Sequence, residues 1–317
     1  MNDPMNTGTN TSMNTSMNTG TNTGMNTGTN TGTNTGMNGV KTTAPAPRAG
    51  TGEGVVVAVA RGVAAEWGKL WSVRATWWCV AGTVAVTVLA ALTLGGARAT
   101  DLVRDGVTAR LPATEAVILA MVFAQFTLVA LAMLAITSEY ASGSIRGTLQ
   151  ATPVRGRMLA AKALVVAPTT FVTGVLAGAA GAVATYLVLS APIFGGLVTL
   201  PAGRTAADLL RVGVFCALVS LLALGAGTAT RSAAGTLTVV FMLLFGLPLL
   251  LLMSGAQPAM EVAQRLPMFA GLAFMESADN PTGGPMPYSP GEGLAWLAGW
   301  AVAALATGQA VLRRRDA

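Results

Sequence analysis

The chain has 317 residues, of which 52% are hydrophobic and only 10% charged, with a mean hydropathy of +0.59. An ordinary soluble chain carries about 25% charged residues, so a water-facing surface cannot be built over most of this sequence. A soluble globular enzyme, a wholly disordered chain and a disulfide scaffold are excluded.

The 19 bases outnumber the 13 acids, giving +6 and a pI near 10.0. In so apolar a chain this excess is read by where it sits, and no nucleic-acid partner is expected. Histidine is absent, which removes the commonest metal ligand and the usual neutral-pH proton carrier. Cys79 and Cys216 lie inside apolar runs and cannot make a zinc site alone.

Residues 1–39 repeat Met-Asn-Thr-Gly-Thr-Asn with variations and hold one charge, Asp3. Such a tract cannot bury apolar surface, so residues 1–54 are expected to be a disordered tail and Pro/Gly-rich linker. The tract lacks the basic start and apolar stretch of a signal peptide, and reads as simple-sequence expansion or a start codon placed too early.

Residues 55–73 predict an amphipathic elbow helix lying on the inner leaflet. Val59, Val63, Trp67, Leu70 and Trp71 fall mostly on one side, with Arg61, Glu66 and Lys69 on the other. Trp67, Trp71, Trp77 and Trp78 suit the headgroup region, where a ring is half wet. Gly62 to Leu70 (GVAAEWGKL) superficially resembles a phosphate loop, but it is one residue too long and has Leu70 where Ser or Thr must meet magnesium.

Uncharged stretches then run between Arg74 and Arg98, Glu115 and Glu139, Lys162 and Arg204, Arg211 and Arg231, Arg231 and Glu261, and Glu292 and Arg313. About 20 apolar residues at about 1.5 Å each cross a hydrocarbon core of roughly 30 Å. Six transmembrane helices follow, near 75–95, 116–137, 163–189, 209–230, 233–253 and 293–312. The expected domains are therefore the tail, 1–54, and a six-span, all-α membrane domain, 55–317.

With both termini cytoplasmic, 13 of the 19 Lys and Arg residues fall inside, and only Arg98, Arg104, Arg110, Arg204, Arg211 and Arg265 outside. That bias sets the expected orientation. No ionisable residue occupies the middle of a span, so ion-coupled transport has no evident binding site. Gln125 is expected to bond a neighbouring helix. Pro168 and Pro248 should bend their spans, and Gly174, Gly178, Gly225 and Gly227 should permit close helix approach. Residues 254–291 include an apolar stretch, Leu266 to Met275, half long enough to span.

The informative loop joins spans two and three. Glu139 and Tyr140 leave the membrane one helical turn before Gly143, and Ser144 to Leu149 could form a short helix presenting Ile145 and Leu149 to a docking partner, with Arg146 between them. Pro153 turns the chain, and Arg155, Arg157 and Lys162 return at headgroup level.

At these residues the sequence resembles the permease subunits of type-2 ATP-binding cassette exporters. Glu139, Gly143, Ser144, Ile145, Pro153, Arg157 and Lys162 match the first-loop pattern of that family. The run Glu66-Trp-Gly-Lys-Leu-Trp-Ser-Val-Arg74 is similar to the elbow of actinobacterial members, through Glu66, Trp67, Lys69, Leu70 and Arg74. The resemblance covers about residues 60–315.

It implies a half-transporter in the bacterial plasma membrane, paired with a second copy or a related permease. ATP and magnesium would be bound by a separate ATPase subunit, this chain holding no cofactor and catalysing nothing itself. The loop from Glu139 to Leu149 would be the cytoplasmic coupling helix, and 254–291 the outer re-entrant or extracellular helices. The Ala-, Val-, Leu- and Gly-rich walls suit apolar or amphipathic cargo. The competing reading is a non-transporting membrane anchor or sensor that holds a cytosolic protein through the 138–162 loop. An intramembrane enzyme has little footing without a metal cluster or an acid pair at depth.

Overall fold

A computed structural model describes residues 55–106, 110–145, 147, 155–191, 196, 198–278 and 286–315. The tail and linker expected over 1–54 lie outside the described residues.

The first two helices, α1 (Val55–Ser72) and α2 (Arg74–Arg104), are separated by the single extended residue Val73, at φ −90° and ψ 125°. They are followed by α3 (Ala113–Ser142), α4 (Arg155–Leu189), α5 (Ala202–Thr230) and α6 (Ala233–Met253). Two short helices, α7 (Gln257–Gln264) and α8 (Pro267–Phe274), precede α9 (Pro290–Arg315). Six of these, α2 to α6 and α9, are long and apolar enough to cross a membrane. They fall where the uncharged stretches place them, and the architecture is that of a multi-pass membrane protein.

Prolines open many of the helices. Pro112 and Pro201 stand immediately before α3 and α5, while Pro258, Pro267 and Pro290 lie in the first positions of α7, α8 and α9. A fixed φ near −65° and a missing N–H cost nothing in a first turn, where the donor has no intrahelical partner. Pro168 lies inside α4. In α6 a π turn over Met242–Gly246, closed by the Leu247 N–H on the Met242 carbonyl, comes directly before Pro248. The regular ladder is broken where proline cannot donate.

α3 and α5 form the centre, with 61% of the most apolar stretch of each buried, against 17% for α2 and α9. Met121 faces Cys216, and Thr114 bonds Asp208, so these two helices run parallel and in step. Phe123 and Phe126 of α3 mesh with Phe241 and Phe245 of α6, at ring separations of 5.6 to 6.4 Å. The outward faces of α2, α6 and α9 expose Leu89, Leu249, Leu250 and Val302. Apolar surface on that scale belongs against lipid or another chain.

Glycines set the closest crossings, as expected. A Cβ added at Gly174 would lie 2.7 Å from Cys216 Sγ, and one at Gly225 would lie 2.4 Å from the backbone of Ala304. Gly308 meets the Gly225 carbonyl from the other side. Among the described residues the chain departs from all-α only where Leu111–Pro112 pairs in parallel with Val198–Thr199. α8 is buried through Phe269, Ala270 and Leu272, with Gly271 lying flat on the Phe215 ring. The turn before α8 is tied down by Trp300 Nε1 donating to the Arg265 carbonyl at 2.9 Å and by Tyr288 donating to that of Gln264.

Gly225→Val forces backbone apart and is expected to cost about 1–3 kcal/mol, as overpacking does. Gly299→Ala, where nothing lies within 4 Å, is expected to be neutral or stabilising by up to about 1 kcal/mol. Thermal unfolding of the detergent-solubilised variants checks both.

Candidate functional site

The residues singled out at the elbow and at the end of span two converge on one buried ion cluster. Lys162, on the first turns of α4 and 2% exposed, donates from Nζ to Glu66 Oε2 at 2.6 Å, Glu139 Oε1 at 2.8 Å and the Ala135 carbonyl at 3.0 Å. Its three protons are therefore all placed. Lys69, half exposed, bonds Glu66 Oε1 at 2.9 Å and Glu139 Oε1 at 3.1 Å. Two ammonium groups and two carboxylates cancel, and the cluster ties α1, α3 and α4 together.

Glu139 Oε2 is buried and has no hydrogen-bond partner among the described residues. Partial burial acts to lower the Lys69 pKa, but its hydrogen bonds to Glu66 and Glu139, and their charges, outweigh it and raise the group above the ordinary lysine value. The sign follows: the stabilisation is full below about pH 10.4 and disappears as pH rises through the raised folded value.

The elbow's faces differ from the sequence expectation. Glu66 was placed on the polar side and Trp67 on the apolar side. Instead Gly62, Val63, Glu66 and Leu70 form the stripe that meets the bundle, and Trp67 is turned outward, 48% exposed. Helical patterning scores a carboxylate as outward-facing, and it cannot register a buried ammonium supplied 96 residues later. The aromatics nonetheless form one ledge, with the half-buried Trp71 between the exposed Trp67 and Trp77 at ring separations of 5.8 and 4.9 Å and Trp77 Nε1 donating to the Trp71 carbonyl. Arg74, the first residue of α2, is exposed.

Beyond Glu139, Tyr140 stacks under the Arg231 guanidinium, 5.3 Å from ring centre to carbon. Gly143 ends α3 in the left-handed conformation, φ 72°, with its N–H on the Tyr140 carbonyl, a conformation that costs an L-residue roughly 1–2 kcal/mol. Ser144 is exposed and shares a 2.9 Å hydroxyl contact with Ser142. Ile145, expected to face a docking partner, is 9% exposed and belongs to a buried cluster with Ile136, Met158, Leu159, Leu224 and Leu312. Burial on the chain's own bundle removes its apolar surface from water without a partner. Arg146, Leu149 and Pro153, with the rest of the expected coupling helix except Gly147, lie outside the described residues.

A second polar cluster, not anticipated, closes the opposite end. Asp208, 3% exposed, accepts from Thr114 at 2.5 Å and from Arg211 at 3.4 Å, and Arg211 clamps Glu276 with contacts of 2.6 and 2.9 Å. Glu115 accepts from the Ala278 N–H at 2.7 Å. The only signal in the sequence was an acid near the outer start of spans two and four.

Between the two ends, polar groups are mostly consumed within helices, as where Thr87, Thr169 and Thr173 donate to carbonyls four residues back. Gln125 bonds its own helix at the Val122 carbonyl rather than a neighbour. The described residues contain no group of three His, Cys, Asp or Glu able to hold a metal. No protein-family model matches the chain, and none of the curated proteins compared with it matches either.

Lys162→Met leaves Glu66 and Glu139 with only the half-exposed Lys69 as counter-ion and is expected to destabilise by about 3–5 kcal/mol. Lys69→Met, at a half-exposed and screened position, is expected to cost no more than about 1 kcal/mol. Comparing the unfolding midpoints of the two variants in detergent tests which ammonium carries the cluster.

Proposed function

We propose that the chain is the membrane-spanning permease subunit of an ATP-driven exporter of the type-2 class, acting with a separate ATP-binding subunit and a second permease in a bacterial plasma membrane. The observation that carries this reading is the ion cluster. The exporter-like elbow residues Glu66 and Lys69, the loop-proximal Glu139 and the returning Lys162 share hydrogen bonds, although up to 96 residues separate them.

Such a joint suits force transmission. A push on the segment after Gly143 reaches the end of α3, the start of α4 and the elbow together, because none of them can leave without stranding a buried charge. The bundle then rocks as a unit while the chemistry stays on the partner. Cytoplasmic placement of this end is supported by its bases: Arg61, Lys69, Arg74, Arg157, Lys162, Arg231, Arg313 and Arg314 lie at the helix ends that meet there. Glu66 and Glu139 are the only acids among the described residues at that end, and both are spent on the internal cluster. An excess of bases over acids at one end is what a surface facing phosphate headgroups on the cytoplasmic side carries.

The second reading is a non-transporting membrane anchor or sensor that holds a cytosolic protein through the 138–162 loop. Transport separates the two. Proteoliposomes containing the chain and a co-expressed ATP-binding subunit of the type-2 class are expected to show ATP turnover raised by the permease and lowered several-fold by Ile145→Asp. An ATPase that co-purifies but is not stimulated would favour the anchor, and no association at all would count against the permease reading. In intact cells a cysteine at Ser142, in a Cys79→Ser/Cys216→Ala background, is expected to react with an impermeant maleimide only after permeabilisation.

A further inference from the structure

Beside the ion cluster lies a cleft of about 380 Å³, enclosed by α1, the first turns of α2, α3 and the start of α4. Its walls are apolar through Leu70, Cys79, Leu131 and Val165, and only one end is charged, where Glu66, Lys69, Glu139 and Lys162 close it. The volume is that of a small-molecule site. Its mouth includes Val73, 51% exposed, at the break between α1 and α2, next to the exposed rings of Trp77 and Trp78. Exposed indoles of this kind sit at headgroup depth.

Two features specify what would fill it. Glu139 lines the cleft with a side chain nine-tenths buried; its Oε2 accepts nothing among the described residues and is closed off from water, so a ligand donor reaches it only as the carboxylate turns toward the cleft. A buried carboxylate oxygen without a donor is costly, so the site calls for an N–H or O–H donor, best a cationic one. Lys69, half exposed at the same end, spends two of its three protons on Glu66 and Glu139. The third can serve an anionic oxygen on the same ligand. Apolar walls beyond these groups suit a hydrocarbon chain.

We infer that the cleft is a binding site for a membrane phospholipid with a primary ammonium headgroup, its ammonium on Glu139, its phosphate at Lys69 and one acyl chain along Leu70, Cys79, Leu131 and Val165. The headgroup chemistry is selective, because a quaternary choline has no N–H to offer Oε2 and a glycerol headgroup has no charge to offer it. A lipid bound here would brace the joint between elbow and bundle. The inference does not depend on the permease reading, since it needs no ATPase.

The test is native mass spectrometry of the full chain released from mixed micelles containing equimolar phosphatidylethanolamine and phosphatidylcholine. One retained ethanolamine lipid per chain is expected, preferred about tenfold over choline, the ratio that one charge-assisted hydrogen bond supports. Glu139→Gln should reduce the preference to near unity. Cys79→Phe, which fills the apolar part of the cleft without touching the ions, should lower retention of both lipids and guards against a folding defect in the first variant. Dodecylammonium added to the micelles should displace the bound lipid. Equal retention of the two lipids by the unmodified chain would overturn the inference, as would an undiminished preference in Glu139→Gln or undiminished retention in Cys79→Phe. Binding of dodecylammonium with no retained lipid would overturn the lipid as occupant.

Discussion

Everything at the basic end of this protein is organised around one buried ammonium group. An isolated cation costs several kcal/mol to remove from water, and Lys162 is almost wholly removed. It is tolerated because two carboxylates and a backbone carbonyl take all its protons within 3.0 Å. The same requirement makes the cluster a constraint rather than a simple source of stability. α1, α3 and α4 must each deliver a group to the same point, so the elbow cannot swing away independently of the spans. The Gly143 cap then ends α3 one turn beyond Glu139, giving the following loop a fixed point of departure.

The opposite end repeats the logic with different chemistry. There Asp208 is held by a threonine hydroxyl and an arginine, and that arginine reaches across to Glu276. Along α3 the two polar ends, marked by Glu115 and Glu139, are about 36 Å apart at 1.5 Å per residue, slightly more than a hydrocarbon core of about 30 Å. Polar side chains in between are largely satisfied within their own helices, and contact between helices is made by glycine, alanine and aromatic surfaces. In lipid, where burying apolar side chains against one another gives little net gain, close backbone approach and dispersion must hold the bundle. Gly225 and Gly308, pressed reciprocally between α5 and α9, show how tightly that condition is met.

The functional reading and the lipid site share this geometry without depending on each other. A charged joint that couples an elbow to two spans suits an external motor. A half-satisfied carboxylate at the end of an apolar cleft suits an amphiphile supplied by the surrounding membrane. Both place the responsive part of the molecule where bundle, headgroups and loop meet, rather than in the middle of the bilayer.

Much of this was legible in the residues themselves. Uncharged length marked all six spanning helices, because a charge in hydrocarbon is penalised wherever it falls in the fold. Gly143 marked the break after span two, because φ is a local property. Partnership was not legible. Glu66 read as an outward-facing acid and Ile145 as an outward-facing docking residue, since helical periodicity ranks a side chain by its own polarity. Only the folded chain brings Lys162 to Glu66 and Glu139, or Leu312 and Met158 to Ile145. The reason is that a buried charge or a buried methyl group is settled by what stands opposite it, and in this protein those neighbours come from far along the chain.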